Sequence, residues 1–134
     1  TKYSCFRIRI LGRMIIGDFY TTDEVAAKTA GGDSYIRTKK NVVRGLAITK
    51  DKNPEAPNII IVGDGVTIRK NAELLKGTLS PVKTFVKHET NKWEYFGRYK
   101  VIKYSKSAEI IEKYRKHRPA KEVAGILFLE KKSD

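Results

Sequence analysis

Apolar and polar residues alternate with period two along most of this chain, and the alternation stops at glycines, prolines and a few short helical runs. In "SCFRIRI", Phe6, Ile8 and Ile10 fall on one face of an extended segment, and Arg7 and Arg9 on the other. "TTDEVAAKTAGG" predicts a short helix: Thr21 or Thr22 caps it, Asp23 and Glu24 suit its first turn, and Gly31-Gly32 ends it. Strands follow at about 34–38 and 42–48, with Gly45 marking a bulge or a close approach. "DKNPEAPN" reads as a loop that delivers the chain into "NIIIVGDG", a buried strand stopped by a Gly-Asp-Gly turn. "IRKNAELLKG" predicts a helix closed by Gly77. "PVKTFVKHE", "WEYFGRYKVIKY" and "EVAGILFLEKK" predict three more strands. Between the last two, "SAEIIEKYRKHRP" predicts a helix capped by Ser105 or Ser107 and stopped by Pro119. About seven or eight strands with three short helices, and no regular strand-helix-strand alternation, point to a curled mixed sheet or small barrel with helices at its rim.

The aromatic segment 93–104 stands out. Strict alternation places Trp93, Tyr95, Gly97, Tyr99, Val101 and Lys103 on one face, and Glu94, Phe96, Arg98, Lys100, Ile102 and Tyr104 on the other. Bulky residues on both faces suit a strand in the middle of a two-sided packing. Gly97 then permits a bend or another backbone's close approach.

Composition changes the picture through charge. The 134 residues are 40% hydrophobic and 10% aromatic, enough for one folded domain spanning 1–134, and the start at Thr1 without an initiator Met suggests a piece of a longer protein. Twenty-eight Lys and Arg against 15 Asp and Glu give a net charge of +13, so the expected partner is a polyanion, nucleic acid ahead of an anionic membrane. No window approaches the roughly 18–20 consecutive apolar residues of a membrane span, and no secretory leader is recognisable, which together suggest an intracellular chain. Cys5 has no disulfide partner and reads as a packed thiol. Cys5, His88 and His117 lack metal-ligand spacing, so neither a metal nor a cofactor is expected.

Motifs for catalysis are missing. "VGDGVTIRKN" fits neither phosphate-loop spacing, Asp64 would repel phosphate, and a structural turn is the simpler reading. No GxSxG, HExxH or paired-histidine arrangement occurs. Lys113, Arg115, Lys116, His117 and Arg118 crowd the end of the last helix, where cations suit the helix dipole; the same cluster is a second candidate for phosphate contact.

"YFGRYKVIKY" resembles the stretch that names the SRA (YDG) domain, a Tyr-Asp-Gly-x-Tyr-x-Val-x-x-Tyr pattern. Tyr95, Gly97, Tyr99, Val101 and Tyr104 match it, and Phe96 replaces the aspartate. Three further pieces follow the family's order. "PVKTFVK" resembles its Pro-Val-Arg-Val strand, "KNAELL" its Asn-Arg-Ala-Leu helix start, and "NIIIVGDG" its Asn-Phe-Phe-x-Tyr-x-Gly-x-Gly strand and turn. Similar patterns occur in modified-DNA-binding domains of McrA-like restriction enzymes.

The resemblance implies an α+β fold, a PUA-like, SRA-like curved mixed β-barrel with a basic concave face toward double-stranded DNA. In relatives that read 5-methylcytosine, a flipped base is held by aromatic stacking and hydrogen bonds. The stacking tyrosine falls on Ile61, which offers no aromatic platform, and the pocket aspartate falls on or near Glu55. Tyr35 is the first candidate for a replacement ring. The expected base pocket is therefore Tyr35, Glu55, Ile61, Gly63, Asp64 and Asn71, and the expected phosphate contacts are Arg37, Lys39, Lys40, Arg98, Lys100 and Lys103. The expected function is a non-catalytic duplex-DNA-binding domain of a chromatin or restriction-type protein, nuclear in a eukaryote and in the cytoplasm or nucleoid of a prokaryote. The alternatives are a PUA-like RNA binder, the recognition domain of a restriction endonuclease, a nuclease or modification enzyme domain, and a protein-interaction module whose charge serves solubility.

Overall fold

The computed structural model describes residues 14–133, so the strand expected at residues 4–10, with Cys5, lies outside the described residues. Seven strands form one sheet in the order β2-β3-β5-β6-β7-β4, with β1 added alongside β6. They are β1 (Phe19–Tyr20), β2 (Ile36–Lys39), β3 (Val42–Thr49), β4 (Ile59–Gly63), β5 (Val82–Glu89), β6 (Lys92–Ser105) and β7 (Val123–Ser133). The helices are α1 (Thr22–Lys28), α2 (Val66–Lys76) and α3 (Ala108–Tyr114), and a single 3₁₀ turn, Ala120–Glu122, leads into β7. β3 and β5 run parallel and every other pair is antiparallel, so the sheet is mixed, as the lack of regular alternation implied.

Local chemistry fixes the connections. Thr21 and Glu24 form a capping box at the start of α1: the Thr21 hydroxyl accepts from Glu24 N–H, and the Glu24 carboxylate accepts from Thr21 N–H. Lys40 and Asn41, at φ 52° and 62°, make the left-handed two-residue turn that joins β2 to β3. Gly45 is a close approach: a Cβ there would overlap Thr29 Cγ2, and it would stand 2.9 Å from the Lys83 carbonyl oxygen.

The main core gathers Ile36, Val43, Leu46 and Ile48 with Ile60, Val62, Val86 and Leu127, and α2 closes it with Ala72 and Leu75. A second cluster on the other face of the sheet packs Val25 of α1 against Tyr20, Ala47, Phe85, Trp93 and Tyr95. A third joins Ile61, Val123 and Ile126 to Ile110, Ile111 and Tyr114 of the α3 segment.

Two sequence expectations need correction. Strict alternation does not hold through β6, because Thr84 pairs with Gly97 and Phe85 with Tyr95, leaving Phe96 as an extra residue. Gly97 supplies the positive φ of 102° that this bulge uses. Trp93 and Tyr95 therefore pack under α1, whereas Phe96 and Tyr99 pack against the main core. The last helix is also shorter than expected. Ser107 caps it, but it ends at Tyr114, and Lys116 takes a left-handed φ of 57°. Lys116, His117 and Arg118 are thus not helical, and Arg118 turns back toward β4, where its Nη1 donates to the Ile61 carbonyl at 3.2 Å.

Candidate nucleic-acid interface

β2 and β4 are the two ends of the strand order, and side chains occupy the backbone positions that a neighbouring strand would use at β4. Ile61 N–H donates to Asn53 Oδ1 at 2.7 Å, and the Ile61 carbonyl accepts from Arg118. Asn53 is almost fully buried in doing so. Beside these groups lies a cavity of about 350 Å³, lined by Tyr35, Lys52, Asn53, Gly63, Ile68 and Arg118 together with Asp33, Ser34 and Thr67. Gly63 keeps it open to the guanidinium, since a Cβ there would meet Arg118 Nη2 at 3.1 Å. The cavity adjoins a second one of about 320 Å³ through Asp33, Tyr35, Lys52 and Asn53, and that one runs on to Arg37, Lys87 and Trp93.

Among the described residues, Tyr35 is the one aromatic residue lining the first cavity. Its hydroxyl oxygen is buried and has no hydrogen-bond partner among the described residues. Burial pushes its phenol well above the ordinary tyrosine range; Arg118 opposes the shift and Tyr104 adds to it. Tyr35 is half-buried, packs against the main core and keeps its hydroxyl inside the protein. In the second cavity, Trp93 Nε1 donates to Thr22 Oγ1 at 3.1 Å, and Lys87 Nζ lies 5.6 Å from the indole centroid.

The expected pocket residues separate. Tyr35 and Gly63 line the cavity. Ile61 contributes backbone only, because its side chain points into the cluster with Val123 and Ile126. Glu55 is drawn to Lys116 in an ion pair of 2.9 Å. Asp64 lines a different cleft with Arg69, Lys70, Glu73, Tyr104 and Lys106, and Asn71 is buried on α2. Asn53 and Lys52 were not expected, and Arg118 was expected only as one of the helix-end cations that could contact phosphate, not beside β4. Asn53 and Lys52 carry no periodic signal in a polar loop, and Arg118 reads as one more cation at a helix end.

The expected phosphate contacts also divide. Arg37 is only 7% exposed and is committed inward, with Nε donating to the Ser34 carbonyl at 2.5 Å and Nη1 to the Ala30 carbonyl at 2.8 Å. It fastens the 30–34 loop to β2 and does not stand free on the surface. Desolvation lowers its pKa, against the pull of Asp33. Lys39 and Lys40 are exposed at the β2–β3 turn, and Arg98 is exposed on β6. Lys100 is half-buried opposite Glu130, and Lys103 lies over the Phe128 ring at 5.8 Å.

Among the described residues, no helix is long and apolar enough to cross a membrane, and no group of three or more His, Cys, Asp or Glu is placed to hold a metal. No family model matches the chain, and no curated protein matches it. Among solved structures, the SUVH5 SRA domain in complex with methylated CHH DNA is similar at a TM-score of 0.55 and 14% sequence identity, over 89% of this chain and 94% of that one. The likeness is one of fold: the chain has the curled mixed sheet and rim helices of an SRA domain.

Proposed function

We propose that this domain binds double-stranded DNA and takes one base out of the stack into the cavity beside Tyr35, acting as a reader rather than as an enzyme. The observation that carries the reading is a ring-bearing cavity between the β2 and β4 ends of an SRA-type sheet, on a chain of net charge +13. The similar SUVH5 domain was crystallised with methylated DNA, which supports the ligand class. A flipped base loses its neighbours in the duplex and recovers stacking on an aromatic face, worth about 1–3 kcal/mol. Tyr35 supplies that face. Arg118 and Lys52 supply donors for the base edge or its flanking phosphate, and Asn53 holds the β4 backbone in place. Lys39, Lys40, Lys100 and Lys103 serve the phosphate backbone at this site, which carries no sequence information.

The test is a panel of matched duplexes, unmodified, hemimethylated, fully methylated and hydroxymethylated, with single-stranded DNA and duplex RNA alongside. Each is titrated over a range of salt concentrations. Duplex DNA should bind best, with log K falling linearly in log salt. Preference for structured RNA over every DNA duplex, or a flat salt response, would overturn the reading.

A further inference from the structure

At the other end of β3 from the cavity lies a cleft of about 470 Å³ whose charged lining residues are Arg44, Lys83 and Arg98, with no carboxylate among its lining residues. These three come from adjacent strands. Lys83 of β5 is in register with Arg98 of β6, and Leu46↔Thr84 pairing brings the start of β3 against Lys83. At about 4.8 Å between strands, the three cations fan across roughly 10 Å. None of them forms an ion pair among the described residues. Lys83 is held below the ordinary lysine range, first by desolvation and then by the charges of Arg98 and Lys28. The exposed Lys39 and Lys40 sit at the β2–β3 turn beside this end, because Lys39 pairs with Val42.

We propose that the Arg44–Lys83–Arg98 cleft is a second nucleic-acid site, one that grips phosphates of the strand backbone and is indifferent to the base. Packing like charges together costs free energy that a bound polyanion returns. Three neighbouring cations together with Ser80 suit a chain of regularly spaced anions. An acidic peptide is the less suitable occupant. The apolar residues of the cleft, Val42, Val43, Leu79, Pro81 and Val82, are spread between the cations, and the exposed Val42 and Leu79 can lie against sugars, while the cations match a repeating phosphate chain. Tyr35 lies opposite Ala47, whose N–H donates to its carbonyl, three residues or about 10 Å along β3 from Arg44, and the cleft and the Tyr35 cavity share no lining residue, so they are separate contacts.

The inference takes its ligand class from the proposed function, and a double dissociation separates the two. The triple variant Arg44→Gln/Lys83→Gln/Arg98→Gln should lower the salt slope of duplex binding by about two to three and leave fluorescence of a 2-aminopurine at the target position unchanged at saturation. Tyr35→Ala should do the reverse. In Tyr35→Ala, an unmodified duplex should still shift the backbone NMR signals of Arg44, Lys83 and Arg98. Relief of repulsion means that the triple variant should melt no lower than the parent; should it fail to fold, the exposed single change Arg98→Glu is read in the same two assays. An unchanged slope, no shift at these residues, or displacement of the duplex by polyglutamate at equal charge would overturn the cleft assignment. No duplex binding by the parent protein at all would instead overturn the proposed function.

Discussion

Changing Tyr35 in two ways separates its ring from its hydroxyl. Tyr35→Phe keeps the ring that lines the cavity and deletes a buried oxygen that has no partner among the described residues. An unpaired buried polar group costs about 1–3 kcal/mol, and the small void left behind returns a few tenths of a kcal/mol at ~24 cal/mol per Å³. The net expectation is a gain of about 1 kcal/mol, which in a domain of this size raises Tm by about 3–5 °C. Binding should stay within about twofold, because stacking belongs to the ring. Tyr35→Ala removes the ring and should weaken binding of a duplex with an extruded base by roughly five- to 150-fold, the equivalent of about 1–3 kcal/mol. Neither change alters charge, so the salt slope should be the same in all three proteins. Calorimetry and fluorescence anisotropy measure the two effects. A lower Tm for Tyr35→Phe would mean that the hydroxyl is satisfied in the folded state, and undiminished binding by Tyr35→Ala would mean that no base stacks there.

Gly97→Val should destabilise the domain by a few kcal/mol in chemical denaturation, because a β-branched residue is strained at φ 102° within a buried bulge. An unchanged midpoint would contradict the bulge. Arg37→Ala should cost about 2–4 kcal/mol, since two charged hydrogen bonds to the Ser34 and Ala30 carbonyls are lost, yet leave the salt slope of DNA binding unchanged. A slope lowered by about one would return Arg37 to the phosphate contacts. Stability should also fall under alkaline conditions. Burial raises the phenols of Tyr35, Tyr99 and Tyr104 above the ordinary 10.0. The unfolded chain therefore loses these protons first, so the stability is full below about pH 10 and declines as pH rises beyond it. Urea unfolding across that range should show a shallower decline for Tyr35→Phe, and identical curves would contradict the burial of the phenol.

Much of the fold was legible because local rules and tertiary packing agree. Alternation located β3, β5 and β7, Thr21 and Ser107 proved to be helix caps, and the Tyr-x-Gly-x-Tyr pattern of β6 pointed to the SRA type of sheet. The face assignment in β6 was not legible, because a bulged residue at Phe96 reverses the parity of the residues after it until a second irregularity between Val101 and Lys103 shifts it again. The site was legible only in part. Tyr35 and Gly63 do line the cavity, but Ile61 was assigned by its side chain where only its backbone takes part. Arg118 shows why. Its role depends on a left-handed residue at Lys116 and on the space at Gly63, two contacts far apart in sequence that no helical period reveals.

The central claim, that one base leaves the duplex and stacks on Tyr35, is tested most directly by 2-aminopurine placed beside the target base, with fluorescence followed as the domain is added to saturation. Unstacking the target should brighten the probe with the parent protein and with Tyr35→Phe, and should leave it dark with Tyr35→Ala under conditions where that variant is still bound. A probe that stays dark with the parent at saturating binding, or brightens equally with Tyr35→Ala, would contradict the account.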